Sequence, residues 1–217
     1  MKRILFQGDS ITDAYRNREM PDMLNGMGEG YPHLLKARLG MDYPGQFECQ
    51  NRGISGNRVV DIYARIKRDL INLAPDYLST LIGVNDVWHE LGGRHDGVDA
   101  DKFEMVYDLL LTEVQRGLPQ VKLIVLEPFV LQGSATVNPD EPERWEAFSR
   151  EVPLRAAASR RVAEKHGALF IPLQEKFEAL CTRAPASHWL VDGVHPTAMG
   201  HEMIAREWMK AFRQIMD

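Results

Sequence analysis

Cysteine is nearly absent: Cys49 and Cys181 are the two in 217 residues. Two thiols in apolar-looking segments build no disulfide framework, and they read as buried free cysteines in a reducing cytoplasm. Long apolar runs are missing as well. None approaches the roughly 20 residues of a membrane-spanning helix. Only Ile4-Leu5-Phe6 follows the charged Met1-Lys2-Arg3, too short a stretch for a secretory leader. Basic residues are not in excess. Lys and Arg number 26 against 31 Asp and Glu, a net charge of −5 without a basic run, which argues against nucleic acid as the main partner. No repeat, low-complexity tract or linker interrupts the chain, so residues 1–217 read as one domain.

What is present alternates between strand and helix patterns. Residues 3–8 read as a first buried strand, 46–51 as a second and 76–82 as a third; 121–126, a near-continuous apolar run, as a fourth; 168–171 as a fifth. Between them, apolar spacing predicts helices over about 31–39, ended by Gly40, and over 59–73. Further helices are predicted over 101–116, 146–166 with Pro153 early in it, 173–182 and 197–215. Residues 88–100 and 132–144 read as loops, the second long enough to suggest a functional or mobile segment. Strands alternating with helices imply parallel pairing through right-handed crossovers. The expected fold is a flavodoxin-like five-stranded parallel sheet in a three-layer α/β/α sandwich.

Short polar motifs sit where these strands end. Gly8-Asp9-Ser10 follows the first, Gly53 through Gly56 the second, and Gly83-Val84-Asn85-Asp86 the third. In a parallel sheet those ends share one side, where open α/β sheets bind ligands. A fourth motif, Asp192-Gly193-Val194-His195, precedes the last helix. Asp192 and His195 are spaced to meet across a turn, so the carboxylate can fix the imidazole tautomer and leave the other nitrogen to take a proton from Ser10. The Ser10 N–H, the Gly53 N–H and the Asn85 amide are candidate oxyanion donors.

These motifs, in this order, resemble the SGNH (GDSL-type) hydrolase superfamily, from residue 4 to about residue 205. The resemblance implies block residues Ser10, Gly53, Asn85 and His195, with Asp192 completing a triad. It also implies the three-layer fold and ester hydrolysis through an acyl-enzyme without a metal or other cofactor. More narrowly, Gly53-Ile54-Ser55-Gly56-Asn57, Ile82 through Trp88 and Val194-His195-Pro196 look like intracellular acetylxylan and xylo-oligosaccharide esterases. The expected reaction is hydrolysis of short acyl esters on carbohydrate. The alternative is a lipid-type esterase, lysophospholipase or thioesterase with the same residues. A non-catalytic carbohydrate-binding protein that kept the fold is disfavoured by the intact set of five residues.

Plainer readings stand beside these. Ser10 alone could be a helix cap. Ser55 fails the Gly-x-Ser-x-Gly elbow at Asn57 and reads as a residue that organises its loop by local hydrogen bonds. Asp9 reads as a brace, Asp13 as a brace or cap, and Asp86 as a cap or brace of its own loop. His201 reads as solvated or packed, and His89 and His95 as loop residues. Asp192, His195 and His201 lack the companions of a metal site. Gly26, Gly28 and Gly30 could cradle a phosphate, but no Gly-Lys-Ser/Thr follows them. Trp88 and Trp189 either stack on sugar or pack under their loops. Met20, Met23 and Met27 offer an apolar wall or an oligomer contact.

Overall fold

Strand β1 (Lys2–Gly8) alternates its side chains between two cores. Ile4 and Phe6 face one buried cluster and Leu5 the other. Strand β2 (Phe47–Asn51) adds Phe47 and Cys49 to the first cluster only, whereas the same division runs through β3 (Tyr77–Leu81), β4 (Lys122–Leu126) and β5 (Leu169–Ile171). The five strands pair in parallel in the order β2-β1-β3-β4-β5. The chain therefore changes direction across the sheet between β1 and β3. Crevices for ligands open at such a switch point, beyond the strands' carboxyl ends. This computed structural model describes residues 1–20, 25–91, 93 and 95–216.

Helices cover both faces, as expected from strand–helix alternation. The short α1 (Ser10–Asp13) leaves β1, and α2 (Tyr31–Asp42) follows. Next come α3 (Val59–Ala64), α4 (Ile66–Asp69), α5 (Val84–Leu91), α6 (Ala100–Gly117) and α7 (Arg144–Lys165). The chain closes with α8 (Gln174–Cys181), α9 (Ala186–Trp189) and α10 (Ala198–Phe212). Tyr31 and Leu35 of α2 pack with Trp208 and Phe212 of α10 on one face. Val59 and Ile62 of α3 pack with Phe103, Tyr107 and Leu110 of α6 on the other. Among the described residues, no helix is long and apolar enough to cross a membrane.

Several boundaries differ from the sequence pattern. Gly40 does not end α2, which continues to Asp42 because Leu39 is still anchored in the core. The predicted helix over 59–73 is three pieces: α3, α4 and a 3₁₀ turn at Ile71–Leu73. Its backbone leaves helical geometry at Arg65, whose guanidinium bonds the side chains of Gln7, Asn57 and Asp69 and the Arg52 carbonyl. Part of the predicted loop 88–100 is helical, since Val84 and Val87 are buried and Trp88 and Leu91 pack on the same core. Pro153 lies inside α7 without ending it.

Candidate active site

The position of Ser10 is set by a cap. Asp9 Oδ1 accepts the Ile11 N–H at 3.0 Å, so the chain turns from β1 directly into α1 with Ser10 as its first residue. Ser10 Oγ lies 2.9 Å from His195 Nε2, and His195 Nδ1 lies 2.7 Å from Asp192 Oδ2. Asp192 Oδ1 also accepts the N–H groups of Val194 and His195, at 2.9 and 2.8 Å. Burial alone would raise the Asp192 carboxyl, but the His195 ring and these two amides outweigh it and hold the carboxyl at about 2. The hydrogen bond it donates to Asp192 raises His195 above the ordinary histidine value, against the opposing effect of burial. A hydroxyl, an imidazole and a carboxylate in this sequence can move a proton off the hydroxyl.

The segment after β4 supports this turn. The Leu131 N–H donates to the Gly193 carbonyl at 2.8 Å and the Ala135 N–H to the Asp192 carbonyl at 2.9 Å. Thr136, fully buried, donates its hydroxyl to the Leu131 carbonyl and accepts the Gly133 N–H. The long polar loop over 132–144 thus acts from behind the site: it fixes the backbone that carries Asp192.

Ser10, His195, Asn85 and Trp88 border one cavity of about 820 Å³, within the range of small-molecule sites. Asn85, almost buried at the start of α5, donates through Nδ2 to the Asn57 carbonyl at 3.2 Å. Its second amide hydrogen is available to the cavity. Gly53 is placed differently from expectation. It does not line the cavity, and its N–H donates to Asn51 Oδ1 at 2.9 Å. Gly56 does line it, with φ of +81° and an N–H that has no partner among the described residues. The two glycines stand in one short motif, and of the two it is Gly56 that lines the cavity.

Asn51 was missed altogether. At the end of β2 it donates to the Thr12 carbonyl at 2.6 Å and the Met27 carbonyl at 2.9 Å while accepting from Gly53. One side chain thereby ties α1, the segment at Met27 and the segment after β2. Its signal in the sequence is faint: an asparagine where an apolar strand should end.

The supporting polar groups span loops and do not merely organise their own. Asp13 Oδ2 accepts both the N–H and the hydroxyl of Ser55, at 2.9 and 3.0 Å, and pairs with Arg18. Ser55 is therefore an anchor to α1, a longer-range role than local loop bonding. Asp86 reaches the Val59 N–H at 3.1 Å, bracing the start of α3 and not its own loop. Burial pushes Asp86 up to about 8 and Asp9 up to about 7, the amide hydrogen bonds opposing in both cases.

Trp88 lies 5.9 Å from the His195 ring and packs edge-on to Phe148 at 6.0 Å. Trp189 does not line the cavity; its Nε1 donates to the Ala184 carbonyl and its ring meets His188 at 4.6 Å. His201 is packed: its Nδ1 accepts the Tyr31 N–H, and burial lowers it to about 4. His89 sits on α5 facing the cavity, not in a loop, whereas His95 is exposed. Met27 is buried in the core, so it forms no flexible wall; Met20 is exposed and Met23 lies outside the described residues. Gly28 packs against the Asp13 and Ala14 carbonyl oxygens, a setting hostile to phosphate. Among the described residues, no group of three or more His, Cys, Asp or Glu side chains is placed to hold a metal ion.

The fold and this constellation define a hydrolase of the SGNH type, and residues 6–203 match the GDSL-like lipase/acylhydrolase family. The chain belongs to that family and is a carboxylic ester hydrolase. It is 34% identical to an acetylxylan esterase of Geobacillus stearothermophilus, over 96% of this chain and 93% of that one. The crystal structure of an acetylxylan esterase from the same organism superposes with a TM-score of 0.83 at 30% identity, covering 97% of this chain and 93% of the other. Variants of that enzyme with a serine or an aspartate changed to alanine are described as catalytic mutants. A candidate GDSL-like lipase of Parabacteroides merdae has a TM-score of 0.89 at 34% identity, covering 97% and 94%.

Proposed function

We propose that the protein is a serine esterase that removes acetyl groups from a carbohydrate such as a xylo-oligosaccharide, in the cytoplasm. The observation that carries the mechanism is the continuous Ser10–His195–Asp192 chain, with contacts of 2.9 and 2.7 Å, at the edge of a cavity. Ser10 Oγ adds to the ester carbonyl carbon as its proton passes to His195 Nε2. Asp192 orients the ring and stabilises the imidazolium. The carbonyl oxygen, now an oxyanion, takes hydrogen bonds from the Ser10 and Gly56 N–H groups and the Asn85 amide. The tetrahedral adduct collapses, the bond to the sugar oxygen breaks, and His195 returns the proton to that oxygen. Water then gives its proton to His195 and attacks the acyl-Ser10 carbonyl, releasing acetate and restoring the serine.

The sugar and the acetyl group are supported by the acetylxylan esterase relative, and the cavity, far larger than a two-carbon acyl chain fills, has room for the sugar. The test is hydrolysis of aryl esters from acetyl through butyryl to octanoyl by the wild type and by Ser10→Ala. A steep acetyl preference that vanishes in Ser10→Ala is expected. An octanoyl preference lost in the variant would keep the mechanism and move the substrate to lipid. Activity that survives in Ser10→Ala would overturn the nucleophile.

A further inference from the structure

The proposed chemistry leaves one part of the cavity wall unused. Tyr15 is 90% exposed yet lines the same cavity as Ser10. Its φ is +60°, and the preceding Ala14 has φ of +41°. Two consecutive left-handed residues that are not glycine are uncommon, and a bulky one is a marked outlier. Glycine or asparagine would sit there with less strain. Packing offers no compensation, because an exposed ring contributes nothing to the core. Strain that persists without a packing reason points to a role for the side chain it displays.

The turn is also firmly held. Ala14 N–H donates to the Ser10 carbonyl at 2.9 Å, and Arg16 N–H to the Asp13 carbonyl at 2.9 Å. Glu29 N–H donates to the Ala14 carbonyl at 2.8 Å. The strained pair is thus fixed to the helix of the nucleophile on one side and to Glu29 on the other. Glu29 is itself exposed and lines the same cavity. An aromatic ring and a carboxylate are delivered to the mouth as a set, at a fixed offset from Ser10.

We infer that Tyr15 and Glu29 form a subsite for the alcohol half of the ester, a neutral sugar ring. The inference rests on the carbohydrate reading given above and deepens it. The aromatic face suits the C–H face of a sugar. The carboxylate accepts hydrogen bonds from ring hydroxyls. It also repels an anionic leaving group such as a phosphorylated headgroup. Tyr15 and Glu29 are specificity residues: they do not touch the reacting atoms.

The experiment compares kcat and KM on an acetylated methyl xyloside and on ethyl acetate, which has no ring. Wild type, Tyr15→Ala, Tyr15→Phe, Tyr15→Gly and Glu29→Gln are measured, with unfolding midpoints for each. The wild type should favour the xyloside. That preference, as a ratio of kcat/KM values, should fall about tenfold in Tyr15→Ala, mainly through KM, and be retained in Tyr15→Phe. Tyr15→Gly should lose the preference while its unfolding midpoint rises, a combination that a merely structural tyrosine would not give. A wild-type preference that survives Tyr15→Ala would overturn the subsite alone. A wild type with no preference for the xyloside would overturn the carbohydrate reading and the subsite together. A preference for acetylcholine that disappears in Tyr15→Ala and Glu29→Gln would place a cation there instead, against the inference.

Discussion

Gly133 touches no substrate in this arrangement, yet replacing it with alanine should cripple the enzyme. A Cβ at Gly133 would fall 2.2 Å from the Asp192 carbonyl carbon, 2.3 Å from the Gly193 nitrogen and 2.4 Å from the Asp192 oxygen. All three are backbone atoms, so no side chain can swing aside. Restoring ordinary contact requires the Asp192–Gly193 peptide and the loop behind it to separate by roughly 1 Å, judged against usual carbon contact distances. Asp192 holds His195 through a 2.7 Å contact, and His195 holds Ser10 at 2.9 Å. A displacement of that size at a catalytic group costs about 10²-fold. We expect Gly133→Ala to lower kcat on 4-nitrophenyl acetate by about that factor, with a much smaller change in KM. Overpacking should also cost about 1–3 kcal/mol, a fall of several degrees in unfolding midpoint for a chain of this size. The assay pairs steady-state kinetics with a thermal melt, so loss of folded protein is separated from loss of rate. A folded Gly133→Ala protein with kcat within threefold of wild type would refute the reasoning.

Asn85→Ala should lower kcat by about 10²–10³ with little effect on KM, because the donor acts chiefly on the developing oxyanion; an equal loss in KM would reassign Asn85 to ground-state binding. The pH profile of kcat/KM should have an acid limb above the ordinary histidine value, since His195 must be neutral to accept a proton and its contact with Asp192 favours the charged ring. A limb at or below that value would contradict the 2.7 Å contact as the controlling interaction. Asp86 is raised from 3.8 to about 8, so the folded state takes up a proton between those values that the unfolded chain has already lost. Its contribution to stability is therefore present below pH 3.8 and declines as pH rises toward 8. Asp86→Asn keeps an oxygen for the Val59 N–H and cannot ionise, so melts at pH 5 and pH 8.5 should differ less than in wild type; an unchanged difference would acquit Asp86.

The fold was legible because β1, β3 and β4 carry buried apolar runs and each strand is followed by helical spacing. Ser10, Asn85, Asp192 and His195 were legible because their motifs stand next to strand ends or before a helix. Gly53 and Gly56 could not be told apart in the same way. Gly53 is glycine because a Cβ would lie 2.5 Å from the Asp13 nitrogen, a chain crossing between loops far apart in sequence. Gly56 is glycine because its φ is +81°. Both look alike in a motif, and only the path of the chain separates a packing glycine from one that presents its N–H to the cavity. Asn51 escaped notice, and the 132–144 loop was marked as functional or mobile without its role being visible, for the same reason: their partners are backbone atoms of distant loops, and backbone has no signature in sequence. Of the two readings of Trp189 the packing one holds, because closeness along the chain to Asp192 does not bring it to the cavity.

The carboxyl beside Ser10 shows what burial does for the proposed chemistry. Asp9 is fully buried next to Ser10, and burial raises it to about 7 even though the Ile11 amide and His195 pull the other way. An ionised Asp9 would oppose the negative charge that develops on the ester oxygen. A neutral one still accepts the Ile11 N–H and so still starts α1 at Ser10. The two effects of Asp9 on the reaction are therefore of opposite sign. It disfavours the oxyanion to the extent that it is charged, and it favours the imidazolium, whose positive charge in turn favours ionised Asp9. Desolvation opposes ionisation of Asp9, and positive charge on His195 favours it. Asp192, with two amides and the ring on it, stays charged throughout. Asp192 thus carries a charge fixed by its partners, and Asp9 starts α1 at Ser10 in either protonation state.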